Sequence, residues 1–525
     1  MKIIFNNKNK AALLPLLVVV CMLLLTGCKK FLETERQGGY NPEDYPYPSG
    51  SGPYDQFIFG AYNQLRSFNL HSQAFIAITS IRSDDADKGS NTGDGGANAQ
   101  TMDNFPLSPS NGYCNTFWLG NYSLINACNT TIKEVNTNQL IVSTNAVKQQ
   151  TIAEAKFLRA YAYFNLVRGF GRVPLIDTLF EDVAAQNNVP QSSPVQIYQL
   201  IENDLVFAAA NLPLSWDANV FPGRVTQGSA NGLLAKVYLT QQKWALAMAA
   251  ANTVMMSGQY NLNTSFDKIF REEGENSSES VFEVQATATI TSNGNDLGVQ
   301  YAQIQGIRGA GQWDLGWGWN SPSTDLVAAY EANDPRKNRT ILFMSETGIP
   351  RQSIYGETLP IANPPNGTPP NLRYNNKVYT NPAVRSSVNS RFGYWMNIRT
   401  LRYADVVLMY AEAANEVGGA ANIIAARNAV NSIRARARIG APAGTLLDIT
   451  SNDQATLRED IRKERRLELA MEHDRFYDIV RWGIAQDVMQ AVGKVNFAGN
   501  RDVLLPIPQT QIDLSAGVLT QNPFY

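Results

Sequence analysis

The sequence predicts a mainly α-helical protein: a tetratricopeptide-like helical-repeat scaffold carrying an irregular, ligand-binding elaboration of loops and short strands. Three observations predict it. Apolar residues recur at helical spacing in paired segments at 154–211, 226–257 and 402–438. In the second pair Leu234, Ala235 and Tyr238 fall on one helix. Ala247 follows Ala235 at the offset where two repeat helices cross and small residues must meet. From 260 to 399 the long helical periods stop, and Gly- and Pro-rich loops with strand-like runs replace them.

The chain opens on a targeting segment. Lys2, Lys8 and Lys10 form a positive start, and Ala11 to Leu25 is apolar but short for a membrane span. Leu25-Thr26-Gly27-Cys28 resembles a bacterial lipobox, whose chemistry acylates the cysteine thiol and cleaves before it. Several acyl chains on one residue give stable anchoring where one chain is marginal. The expected parts are a lipoprotein signal peptide at 1–27 and an acylated, Gly/Pro-rich tether at 28–53.

Helical periodicity begins near Tyr54, with Ile58, Tyr62, Leu65 and Phe68 on one face. Phe75 to Ile81 continues an apolar run, which the acidic stretch Asp84-Asp85-Ala86-Asp87 breaks. Long helices follow at about 115–135 and 145–169. The second carries a stripe of Ala155, Leu158, Ala162 and Leu166, and Gly169, Gly171 and Pro174 stop it. Cys114 and Cys128, on one helix, lie roughly 21 Å apart, too far to bridge. Free, buried thiols are expected. Further helices fall at 195–211, 226–257, 401–417 and 420–438. Strands are expected at 280–285 and 376–380.

Residues 457–482 are dense in charge, yet Leu457, Ile461, Leu467, Ala470 and Met471 recur at helical spacing. Arginines and carboxylates mixed with Phe476, Tyr477, Ile479, Val480 and Trp482 point to partly buried, mutually neutralising pairs that fix geometry. The competing expectation is a catalytic cluster around Glu472 and His473.

Four pieces carry a resemblance. ELAMEHDRFYDIVRWG at 468–483 resembles the carboxy-terminal signature of the SusD/RagB lipoproteins, nutrient-binding proteins of Bacteroidota outer membranes. NIRTLRYADVVLMYAEAANE at 397–416 looks like the helix before that signature. EAKFLRAYAYFNLVRGFGRVPLI at 154–176 resembles the family's amino-terminal half, and LLPIPQTQIDLSAGVLTQNPFY at 504–525 its closing segment. The resemblance implies an amino-terminal helical part at 54–259 and a carboxy-terminal part at 260–525 that includes the loop-rich insertion 260–399. It also implies an outer-membrane lipoprotein, facing the cell exterior, that binds oligosaccharide and delivers it to a SusC-like TonB-dependent transporter. In the family the glycan lies on an aromatic platform of variable loops, so no site residue is carried over by motif.

The residues themselves suggest where a ligand lies. Trp313, Trp317 and Trp319 fall within seven positions, with Asp314 and Asn320 beside them. Sugar C–H faces lie on aromatic rings, while hydroxyls need amide or carboxylate partners to replace lost water. Tyr301 and Arg308 are auxiliary candidates. Asp84 and Asp85 are expected at the site's edge, in a loop read as solvated or helix-capping. Its oxygens suit a hard cation such as calcium but lack the terminal bidentate Glu, so no metal is assigned.

Composition excludes other classes. The formal charge is −2 over 525 residues, which does not attract nucleic acid. The chain has two histidines, His71 and His473, which argues against a His-rich metal site. It shows no phosphate loop, no HExxH and no ordered Ser/His/Asp set, so neither cofactor nor catalysis is expected. The alternatives are a membrane-anchored glycoside hydrolase, which needs two spaced carboxylates, and a helical-repeat protein that binds peptides.

Overall fold

Local signals set the helix starts. Thr144 accepts a hydrogen bond from the Val147 amide and opens a helix at Asn145. Ser193 and Gln196 form a capping box, with Pro194 at the first helical position. The computed structural model describes residues 52–180, 182–216, 222–289, 298–345 and 351–525. The signal peptide, Cys28 and nearly all of the tether lie outside them. The helices used below are α1 (Asp55–Gln64), α2 (Gly112–Thr137), α3 (Asn145–Phe170), α4 (Pro194–Asn211) and α5 (Gln227–Thr240). They continue with α6 (Trp244–Met256), α7 (Tyr403–Val417), α8 (Ala420–Ala437), α9 (Gln454–Glu468) and α10 (Arg475–Arg481).

These helices stack in chain order, each against the next, from α2 to α8. The neighbours include α6 and α7, so the chain leaves the stack after α6, makes the long excursion to 402, and rejoins where it left. Ala235 and Ala247 are both fully buried, as the helix-pair spacing requires. The α3 helix is the central post. From Thr151 to Phe170 every residue except Lys156 and Arg168 is buried, the signature of a helix surrounded by others. Its polar groups are satisfied internally. Glu154 accepts from Arg224 at 2.6 Å, and Arg159 Nε donates to Asp204 at 2.8 Å. Cys114 and Cys128 are free, buried thiols on α2.

Small antiparallel pairs organise the excursion. The strands are β1 (Ala86–Gly89), β2 (Ser280–Val284), β3 (Trp319–Pro322), β4 (Ile341–Phe343), β5 (Arg373–Asn375) and β6 (Ile398–Arg402). The β2–β6 pair closes its base, with Ile398 opposite Val284 and Arg402 opposite Ser280. In the β4–β5 pair Ile341 stands opposite Asn375 and Phe343 opposite Arg373. Residues 376–380 do not form the expected strand. The Asn375 side chain accepts from the Lys377 amide and starts a 3-10 turn at Asn376–Val378. One hydrophobic core contains residues from both sides of position 260. Phe157 and Tyr161 on α3, for instance, meet Phe282 edge to face at 5.1 and 6.0 Å.

The charged carboxy-terminal stretch is buried and paired. Glu468, at the end of α9, receives Arg402, Arg436 and Arg336 at 3.2, 2.5 and 3.2 Å. Burial alone raises its carboxyl, but Arg436, Arg402, Arg336 and Lys377 together hold it down to about 2. Arg465 bridges Asp405 at 2.5 Å and Asp478 at 2.8 Å. Arg481 and the Trp482 indole both donate to Glu412. These pairs join α7, α8, α9, α10 and the excursion. Such a network does little for net stability, but removing one partner strands a buried charge.

Candidate functional site

The two sequence-predicted patches meet through one strand pair. β1 runs antiparallel to β3, with Ala86 opposite Pro322, Asp87 opposite Ser321, and Gly89 opposite Trp319. This register puts the loop after β1 beside the loop before β3. Ser90 Oγ donates to the Trp317 carbonyl at 2.6 Å, and the Ser90 amide donates to Asn371 at 2.8 Å. Asn371 in turn donates to the Gly318 carbonyl at 2.6 Å.

A surface platform results. Trp313 and Trp317 are half-buried, each packed on one side against apolar residues. Arg308 pairs with Asp94 and donates to Ser90 Oγ at 2.8 Å. Arg391 pairs with Asp314 at 3.2 Å, and the two side chains are 45% and 44% exposed. Arg391 also donates to the Gly311 carbonyl. Three residues on, Tyr394 Oη donates to Gln303 at 3.1 Å, while the Gln303 carbonyl holds the Trp317 amide at 2.8 Å. Phe392 lies 5.7 Å from the Tyr394 ring. Two half-buried tryptophans, two guanidiniums and two carboxylates therefore come together on loops tied to each other mainly by side-chain-to-carbonyl hydrogen bonds.

Other predicted site residues are elsewhere or buried. Trp319 is 3% exposed, lies edge-on to Tyr113 at 6.1 Å, and has Lys88 Nζ over its ring at 5.6 Å. Asn320 is fully buried and donates to Gln305 at 2.7 Å. Both stand in β3, all four residues of which are buried, so the side chains on its two faces are covered alike. Tyr301 is buried and shares a 2.6 Å hydrogen bond with His473 Nε2. Asp84 and Asp85 are 1% exposed, not solvated. Arg475 grips Asp84 with two 2.8 Å bonds, and Arg466 donates to Asp85 at 2.7 Å. Burial raises Asp84, but Arg475 and then Arg466 outweigh it and hold the carboxyl below its usual range. Carboxylates go this deep only when paired. These five residues present no open face to a ligand.

The Glu472–His473 cluster is buried and paired as well. Glu472 binds Lys377 at 2.5 Å and Arg402 at 2.7 Å. His473 Nδ1 meets Thr79 Oγ1 at 2.9 Å, and burial pushes the imidazole down to about 3. The cavity beside it is about 40 Å³, room for little more than a water. The sequence reading missed Arg391, Phe392 and Tyr394. The signal was present: Arg391-Phe392-Gly393-Tyr394-Trp395 is a second Gly-interrupted aromatic run of the kind found at 313–319.

Comparison with known proteins fits this architecture. A model of the SusD family matches residues 278–525, and one described as "Starch-binding associating with outer membrane" matches 55–239. SusD-like protein P2 of Formosa agariphila is 28% identical, with 97% of this chain and 98% of that protein aligned. A SusD-like protein of Bacteroides ovatus is 28% identical over 70% of this chain and 65% of its own length. A structure titled laminarin binding SusD-like protein superposes with a TM-score of 0.75 at 27% identity, covering 92% of this chain and all of that one. Surface glycan-binding protein A of Bacteroides thetaiotaomicron, solved with laminarihexaose, gives 0.72 at 23% identity, over 89% of this chain and 98% of that one. Two family models that together take in both halves, full-length relatives and shared architecture establish that the chain belongs to the SusD family.

Proposed function

We propose that this protein is a glycan-binding lipoprotein of the outer-membrane surface, and that the loops at 90–94, 308–317 and 391–394 hold the sugar. The observation that carries the reading is the pair of half-buried tryptophans, Trp313 and Trp317, flanked by Arg308·Asp94 and Arg391·Asp314. Ring faces supply apolar contact and the charged rims supply hydrogen bonds. A laminarin-binding relative with the same fold at 27% identity supports the ligand class. Contact through a few ring faces gives affinity of about micromolar to millimolar, which suits a protein that hands its ligand on.

In this reading no bond is broken. The ligand passes to a SusC-like TonB-dependent transporter, and acylated Cys28 anchors the chain. No helix among the described residues is long and apolar enough to cross a membrane. A glycan array probed with the mature chain tests the ligand class. Retention of a glycan, lost in the Trp313→Ala/Trp317→Ala variant that still folds, is the expected result. Binding to no glycan, or release of shortened sugars, defeats the proposal. For the anchor, Cys28→Ala moves the protein out of the membrane fraction; unchanged partition refutes it.

A further inference from the structure

A groove of about 400 Å³ runs beside α1, lined by none of the platform residues. That volume falls within the range of small-molecule sites. One wall is aromatic. Phe59 and Tyr62 stand three residues apart on α1, half-buried, with ring centroids 6.5 Å apart. The other wall is polar, formed by Glu283 and Gln285 at the end of β2 and by the exposed Thr287.

Both walls are fixed in advance. Tyr62 Oη donates to Glu154 at 2.8 Å and accepts from the Val225 amide at 3.0 Å. Arg224 pairs with Glu154 at 2.6 Å, and its guanidinium lies 3.9 Å from the centre of the Trp216 ring. Gln285 and Asn276 exchange hydrogen bonds of 3.0 and 2.9 Å, and Asn397 donates to Gln285 at 3.1 Å. Gly223 presses against the Gln285 amide, where any side chain would collide with it. Beyond that ridge lies a second hollow of about 220 Å³, which Trp216 and Tyr260 help to line. Groups held this firmly lose little freedom when a ligand arrives.

We infer that this groove is a second oligosaccharide site, separate from the platform. It takes a sugar chain, whose C–H faces lie on Phe59 and Tyr62 and whose hydroxyls pair with the exposed Asn63 and Thr287 at the rim. The inference rests on the reading of the chain as a glycan binder, but not on the platform being the site.

Isothermal titration of the mature chain with laminarihexaose, and in parallel with maltoheptaose, tests it. At least one of these sugars is expected to occupy two sites per chain. The Trp313→Ala/Trp317→Ala variant keeps one site. Thr287→Trp fills the groove from an exposed position; that variant, like Phe59→Ala, keeps the other. A single wild-type site that vanishes with the tryptophans and ignores Thr287→Trp overturns the groove and leaves the platform standing. A single site lost only in the groove variants overturns the platform instead. No binding of either sugar overturns the groove site.

Discussion

Replacing Glu468 by Gln keeps the shape of a fully buried side chain and removes its charge. Arg402, Arg436 and Arg336 then lose a shared partner. Each retains another: Glu279 for Arg402 and Arg436, and Asp334 with Glu464 for Arg336. The carboxyl is held at about 2 against an ordinary 4.5. At about 1.4 kcal/mol for each tenfold, the folded state favours the charged form by roughly 3 kcal/mol. Breaking one partner of a buried pair costs about 3–5 kcal/mol in other proteins. The variant should therefore lose about 3 kcal/mol, a large share of the roughly 5–15 kcal/mol that holds a domain folded. Urea unfolding at pH 7, followed by far-ultraviolet circular dichroism, reads that loss directly. Asp314→Asn, at the exposed Arg391 pair, serves as the control and should shift by less than about 1 kcal/mol. A Glu468→Gln protein of unchanged stability that had lost its glycan would refute the assignment of this cluster to structure.

Three further outcomes follow from the same packing. Burial pushes His473 and His71 down to about 3 and about 4, both below 6.5, so the unfolded chain takes up these protons first. Their contribution is fully present above pH 6.5 and is lost as pH falls toward those values, so the melting temperature should drop between pH 6.5 and 4. A flat profile would show the two rings to be hydrated in solution. Burial also pushes the Cys114 thiol up to about 12. Cys114 and Cys128 should resist a thiol reagent in the native mature chain and react in denaturant; rapid native labelling would contradict their burial. Gly120 on α2 faces the carbonyl of Asn69, where a Cβ would fall on the oxygen. Gly120→Val should cost about 1–3 kcal/mol by overpacking, measured as a lower urea midpoint, and an unchanged midpoint would mean the helix can shift.

Much of the scaffold was legible because helical periodicity is local. The α3 stripe, the Ala235/Ala247 crossing and the paired charges of 457–482 each declare themselves within one or two turns. The candidate site was legible only in part. Trp313 and Trp319 look alike in sequence, yet one lies on the loop and the other in β3, and that difference comes from pairing with a strand some 230 residues earlier. Asp84 and Asp85 read as a solvated loop because Arg475 and Arg466 are nearly 400 residues away in the chain. Non-local partners decide burial, and periodicity carries no record of them. The strand expected at 376–380 failed for a nearer reason: the Asn375 cap was stronger than the β-propensity of Val378 and Tyr379.

Trp313 and Trp317 are proposed to hold a sugar on loops carried by the helical scaffold. The most direct test is calorimetric titration with the tightest glycan found on the array, for the wild type and the Trp313→Ala/Trp317→Ala variant. Micromolar-to-millimolar binding is expected for the wild type, weakened by at least about tenfold in a variant that still unfolds cooperatively. Equal affinity in the two would place the glycan elsewhere and overturn this assignment.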